Sequence, residues 1–156
     1  MTGEELAEFL DEQSTVTLAT IGPDHMPHLA AMWFTRDGDR LLLWTYAASQ
    51  KVRNLERDPR ASVLADDGSR YSQLRGACLE CRVEILRDRA DVMSIGRAMS
   101  GRYPDPAGRD GDDRAAEELL NARARKRVGL RLDVVRARTW DHRRLGDAAM
   151  TRRAGR

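Results

Sequence analysis

From Thr15 to Thr45 the chain is written as three short runs rich in β-branched and aromatic residues, separated by two clusters that suit tight turns. Thr15 to Ile21 reads as a first strand. Gly22-Pro23-Asp24-His25 is a turn, and Pro27 to Thr35 reads as a second strand. Arg36-Asp37-Gly38-Asp39 turns the chain again into Arg40 to Thr45. Strands joined by such short polar connections have no room for a crossover, so they predict an antiparallel meander. The run 41–46 adds a further constraint. Leu41 and Leu43 lie on one face, while Leu42 and Trp44 lie on the other. One face can fill a barrel, and the second needs a partner chain or a flat ligand to cover it. A plain dimer interface explains that second face equally well.

The remaining chain continues the pattern. Residues 2–12 predict a short helix, with Thr2 and Glu5 at capping-box spacing and Leu6, Phe9 and Leu10 on one face. Ser49 is placed to cap a helix running to about Arg57, with Val52 and Leu55 buried, and Asp58-Pro59 stops it. Strands are expected over 60–66 and 74–86, and helices over 88–100 and 114–126, with a Gly/Pro/Asp loop from Gly101 to Asp113. Val128, Leu130, Leu132 and Val134 alternate with Arg127, Gly129, Arg131 and Asp133, which predicts a sixth strand. Six strands with few helices argue for a closed antiparallel barrel. Residues 1–141 are read as one split-barrel domain, and 142–156 as a flexible basic tail carrying Arg143, Arg144, Arg152, Arg153 and Arg156.

Composition narrows the partners. The 156 residues carry 27 basic and 25 acidic groups, a net charge of +2 that gives no reason to expect a nucleic acid or a membrane surface. No apolar run approaches the length of a membrane helix, and the acidic N-terminus lacks the features of a signal peptide. A cytoplasmic protein is expected. Cys78 and Cys81 have CxxC spacing, but on a strand they face opposite sides, so two free thiols are expected. With no second Cys or His pair, no metal site is expected. Glu80, Glu84 and Asp88 have no carboxylate to oppose them, so no acid–base pair stands out.

The stretch Trp44-Thr45-Tyr46-Ala47-Ala48-Ser49-Gln50-Lys51-Val52-Arg53-Asn54-Leu55 is the most informative. A strand ends and a helix begins on Ser-Gln-Lys, where free backbone N–H groups and the helix dipole attract anions. A lysine in the first turn opposes that dipole unless an anion neutralises it. Arg53 adds a second cation, and Asn54 lies three residues beyond Lys51 on the same face. Trp44 and Tyr46 are placed to pack beside an aromatic ring, so a phosphate-bearing, ring-containing cofactor fits. An ordinary Ser-capped surface helix also fits. In the second strand, Ala30 and Ala31 allow close approach of a flat ring and Trp33 supplies a wall, though such residues also build cores. His28 is either a proton donor or a hydrogen-bonded strand-end histidine.

Thr17-Leu18-Ala19-Thr20-Ile21-Gly22-Pro23-Asp24, then Pro27-His28 and Met32-Trp33-Phe34, resemble the opening hairpin of the split β-barrel flavin and deazaflavin oxidoreductases, the superfamily of pyridoxamine 5′-phosphate oxidase. Ser49 to Leu55, followed by Arg57-Asp58-Pro59-Arg60-Ala61, resembles their phosphate-binding turn and helix. Arg138-Thr139-Trp140-Asp141 resembles the end of these chains. The resemblance covers residues 5–87 and 127–141, and the region 88–126 matches only in kind. It implies a mainly β, six-stranded antiparallel split β-barrel with peripheral helices, the FMN-binding split barrel. It also implies a homodimer with cofactor sites at the subunit interface. Ser49, Gln50, Lys51 and Asn54 would hold the cofactor phosphate, and Ala31, Met32, Trp33, Trp44, Thr45 and Tyr46 would line the ring. The uncharged segment Leu29 to Phe34 and its Pro-His-x-x-x-x-Trp-Phe pattern are closer to the branch that uses coenzyme F420 than to the branch that uses FMN. The expected activity is hydride transfer between F420 and an unidentified small organic substrate. An FMN-binding flavoprotein or flavin reductase, and a non-catalytic dimeric ligand-binding protein, are the alternatives.

Overall fold

The computed structural model of the protein describes residues 1–103 and 113–144. Its centre is one antiparallel sheet of seven strands: β1 (Thr15–Ile21), β2 (Pro27–Trp33), β3 (Thr35–Asp37), β4 (Arg40–Tyr46), β5 (Arg60–Asp67), β6 (Arg75–Leu86) and β7 (Arg127–Asp141), in the spatial order β2-β1-β5-β6-β7-β4-β3. The two edge strands are consecutive in the chain. β2 ends at Trp33 and β3 begins at Thr35, so Phe34 alone joins opposite edges and the sheet must curl on itself. Phe34 is fully buried at that seam.

This arrangement corrects two expectations. The run 27–35 is two strands rather than one, giving seven where six were expected. The meander also fails after its first hairpin, because β2 pairs only with β1 while β4 pairs with β3 and β7. The physical reason is Phe34: turning that ring into the core breaks the ladder and sends the chain across the split. β7 also runs past Val134 to Asp141. A bulge leaves Val135 without a partner on β6, and beyond it Glu80 bridges Arg136 and Arg138 across the strand pair. Apolar alternation is lost there, so the sequence pattern ended the strand early.

The barrel interior is filled by Leu18, Leu41, Leu43, Val63, Leu79, Leu130 and Leu132. α1 (Gly3–Glu12) closes one side with Phe9 and Leu10, and its capping box between Thr2 and Glu5 forms as expected. α2 (Gln50–Arg57) closes another with Val52 and Leu55, ending at Asp58. α3 (Arg89–Arg102) and α4 (Asp113–Ala124) build a second cluster of Val92, Met93, Leu120 and Ala124, against which Trp44 packs. On the outer face of β4 these helices pack against one side of Trp44, which stays half-buried, while Tyr46 is exposed. Most of the expected 101–113 loop, and residues 145–156 of the basic tail, lie outside the described residues. Arg143 and Arg144 are within them, and pair with Asp141 and Glu5. No helix among the described residues is long and apolar enough to cross a membrane.

Candidate cofactor site

The end of β4 and the start of α2 form a sharp corner. Tyr46 pairs with Arg127 at the start of β7, and the Ala47 N–H donates to the Lys126 carbonyl at 3.0 Å. The Ser49 N–H donates back to the Tyr46 carbonyl at 3.0 Å, which delivers the chain into the helix. Ser49 has the backbone of an N-cap, but its hydroxyl caps nothing. Its Oγ is buried and has no hydrogen-bond partner among the described residues. The Ser49 carbonyl accepts from the N–H groups of Val52 and Arg53, whereas those of Gln50 and Lys51 have no acceptor among the described residues. Two free amides and an orphaned hydroxyl thus meet at one helix terminus, where the backbone carries partial positive charge.

Lys51 stands over this corner. Its Nζ donates to Thr45 Oγ1 at 3.1 Å, and no carboxylate among the described residues pairs with it. Burial holds its pKa below the ordinary lysine value. A partly desolvated ammonium with one neutral partner favours a nearby anion.

The Lys51–Thr45 bond joins this corner to a cleft of about 250 Å³ lined by Met32, Trp33, Trp44, Thr45, Tyr46, Met99 and Arg127. Five of the ten expected cofactor residues therefore share one concavity, and Ser49, Gln50 and Lys51 form the helix corner beside it. The other two lie elsewhere. Ala31 is on the exposed face of β2, opposite Thr17. Asn54 is fully buried: its amide donates to Thr20 Oγ1 at 3.0 Å, and its Oδ1 accepts from Gln50 Nε2 at 2.8 Å and Arg57 Nη2 at 2.9 Å. It anchors α2 to β1, and the Gln50 side chain is turned toward it. This leaves the Gln50 backbone amide, rather than its side chain, facing the anion corner.

Arg127 was missed as a site residue because the alternation in 127–134 marked it only as a solvent-facing strand position. Its guanidinium lies 4.6 Å from the ring centroids of both Trp44 and Tyr46, a contact set by the pairing of β4 with β7. No local sequence signal identifies that partnership. Met99 of α3, and Tyr103 at its C-cap, were missed for the same reason. His28 has a buried Nδ1 with no partner among the described residues. The cysteines are free, and burial pushes the Cys81 thiol up to about 12, with Cys78 and Asp133 adding to the shift, so it stays protonated. No cluster of His, Cys, Asp or Glu among the described residues could hold a metal. The arrangement can bind an anion at one end and a flat apolar ring at the other.

The curled antiparallel sheet with its flanking helices has the fold of the pyridoxamine 5′-phosphate oxidase-like split barrels. The chain belongs to the pyridoxamine 5′-phosphate oxidase family, which it matches over residues 2–141. Among solved structures it is similar to the conserved hypothetical protein Rv2991 of Mycobacterium tuberculosis, at 40% identity and a TM-score of 0.84, covering 94% of this chain and 88% of that one. Among curated proteins it is similar to an F420H(2)-dependent biliverdin reductase of Mycobacterium tuberculosis (strain CDC 1551 / Oshkosh). That match is 31% identical over 88 residues, or 54% of this chain and 64% of that protein, a little under two thirds of the relative. A solved F420 reductase shares the fold at 23% identity and a TM-score of 0.64, covering 84% of this chain and 94% of that one.

Proposed function

We propose that the protein is an F420-dependent oxidoreductase that moves a hydride between the deazaflavin cofactor and a small organic substrate. The observation that carries this reading is the Lys51–Thr45 bond, which joins an anion-seeking helix corner to an aromatic cleft. A phosphate-ended ring cofactor fits both parts. A phosphate oxygen completes the orphaned Ser49 Oγ and the free amides of Gln50 and Lys51, and it neutralises Lys51. Met32, Trp33, Trp44, Thr45 and Tyr46 would then line the ring, with Arg127 reaching its polar edge. The cofactor supplies the hydride chemistry when bound, and the chain binds, orients and shields. The uncharged segment Leu29–Phe34 favours the deazaflavin over FMN. So does the name of the curated relative, an F420H(2)-dependent reductase.

In this reading the protein works as a homodimer. Leu29 on β2, Leu64 on β5 and Val135 at the β7 bulge are exposed, and Ala31 shares the exposed face of β2 with Leu29. A second copy would cover this surface, which is where Ala31 would act. In this reading residues 1–141 form the cofactor-binding unit.

Titration of the protein with F420 and, separately, with FMN, followed by tryptophan fluorescence, tests the reading. Tight F420 binding with weak FMN binding is the expected result and opens a substrate screen. The opposite preference makes the protein an FMN-binding member of the family. Binding of neither leaves a non-catalytic ligand-binding module, and a monomer by light scattering removes the interface.

A further inference from the structure

α3 carries no part of the motif set that pointed to the cofactor, yet one of its faces meets both aromatic walls of the cleft. Gly96 and Met99 are spaced i, i+3 on one face of the helix, and Tyr103 is the non-helical residue that caps its C-terminus. At the first position, a Cβ on Gly96 would lie 2.9 Å from Cζ3 and 3.2 Å from Cη2 of Trp44 and 2.9 Å from Cδ1 of Leu120, so the indole and α4 both rest against bare helix backbone. Met99 sits between the walls, in the cleft lining. At the third position, the Tyr103 ring stacks on Trp33 with centroids 4.9 Å apart and planes 16° apart.

Tyr103 is itself locked. Its hydroxyl lies 2.8 Å from the carbonyl oxygens of both Ser14 and Phe34, and accepts from Arg102 Nε at 3.0 Å. Arg102 Nη2 donates to the carbonyls of Leu10, Asp11 and Gln13 at 3.1, 3.0 and 2.7 Å, while its guanidinium lies 4.7 Å over the Phe34 ring. The end of α3 is thus tied to the end of α1 and to the seam where the barrel splits. Trp33 is 57% exposed, and Tyr103 is its stacking partner.

We propose that α3 and its C-cap are the gauge of the ring cleft: Gly96 seats Trp44 and Tyr103 seats Trp33, so one helix and the residue that ends it fix the separation of the two walls and select which flat ring enters. The choice of ring rests on the cofactor reading above, whereas the seating of the two indoles does not. Gly96 and Tyr103 act as positioning residues.

The test uses full-length protein labelled with 5-fluorotryptophan, whose three tryptophan resonances are assigned with Trp33→Phe and Trp140→Phe. Gly96→Ala should shift the Trp44 ¹⁹F resonance and raise the Kd for F420 at least tenfold. Its Tm should fall only modestly, because the helix propensity of alanine offsets part of the crowding against Trp44 and Leu120. Tyr103→Leu should move and broaden the Trp33 resonance and raise the Kd for F420 at least tenfold. Tyr103→Phe keeps the stack without the hydroxyl, so Trp33 and the affinity should stay within twofold of wild type even if Tm falls. An unmoved Trp33 resonance in Tyr103→Leu, or an unmoved Trp44 resonance in Gly96→Ala, overturns the proposal. If wild-type protein binds neither F420 nor FMN, the cofactor reading fails, and the ¹⁹F pattern alone decides the gauge.

Discussion

The two ends of the cleft are built in opposite ways. The anion corner is local: Thr45, Ser49, Gln50 and Lys51 lie within seven consecutive residues, and one strand end and one helix start fix their geometry. The ring wall is assembled from β2, β4, α3 and β7, and its members touch only after the sheet has curled. A binding feature made by backbone direction and helix dipole can be written in one short segment. A feature made by the spacing of side chains from four elements depends on the whole barrel. Substitutions at the two ends should therefore fail differently.

The largest effect is expected at Asn54, which holds the local corner to the barrel. Asn54→Ala strands Thr20 Oγ1 in a buried place and takes a partner from the more exposed Gln50 and Arg57 side chains. Leaving such groups unpaired should cost about 3 kcal/mol of stability. Urea unfolding would measure it. A loss below about 1 kcal/mol, within an ordinary single hydrogen bond, would show that α2 holds its place without Asn54 and that the corner is more local than argued. Lys51→Ala comes next. It should weaken F420 binding by about 2 kcal/mol, the scale of a charge-assisted hydrogen bond, with little change in unfolding. An unchanged dissociation constant would take Lys51 out of the site.

What the sequence made legible follows the same division. β-branched and apolar runs between turn clusters mark β1 and β4, period-two alternation marks the first part of β7, and the Ser49-to-Leu55 run marks the corner, because each depends on neighbours in the chain. Phe34 was read as one more strand residue, since nothing local says that its ring enters the core and splits the strand. Asn54 was assigned to the cofactor by helical spacing from Lys51. Its burial against Thr20 depends on where β1 lies, which helical spacing does not carry. Ser49 was read as a capping residue. Its backbone takes that role, while its hydroxyl is left over, and that leftover is the stronger sign of a ligand. Arg127 was placed on a solvent-facing strand position, because its two aromatic partners come from a strand some eighty positions earlier.

Arg127→Ala tests the non-local end with a smaller effect. Removing a cation stacked on two rings should weaken ring binding by about 1 kcal/mol. The loss should be equal for F420 and for a deazaflavin lacking the phosphate. A loss confined to the phosphate-bearing ligand would move Arg127 to the anion corner and merge the two regions.

The smallest effect near neutral pH, and the sharpest separation of the two ends, comes from the titration of Lys51. Burial lowers its pKa in the folded protein. Between that lowered value and the ordinary lysine value, the unfolded chain binds more protons than the folded one. This group's contribution to stability therefore rises with pH across the window. Anion binding has the opposite sign. A phosphate at the corner pulls the Lys51 pKa back up, so the complex holds more protons than the free protein, and affinity must fall as pH climbs through the free protein's lowered pKa. F420 binding should thus weaken on the alkaline side in wild-type protein and stay flat in Lys51→Ala. A deazaflavin without its phosphate should show no such slope in either protein, since in the proposed reading Lys51 meets only the phosphate and Trp33, Trp44 and Tyr46 would line the ring. An alkaline slope for the phosphate-free ring would place Lys51 against the ring itself and erase the division between an anion end and a ring end.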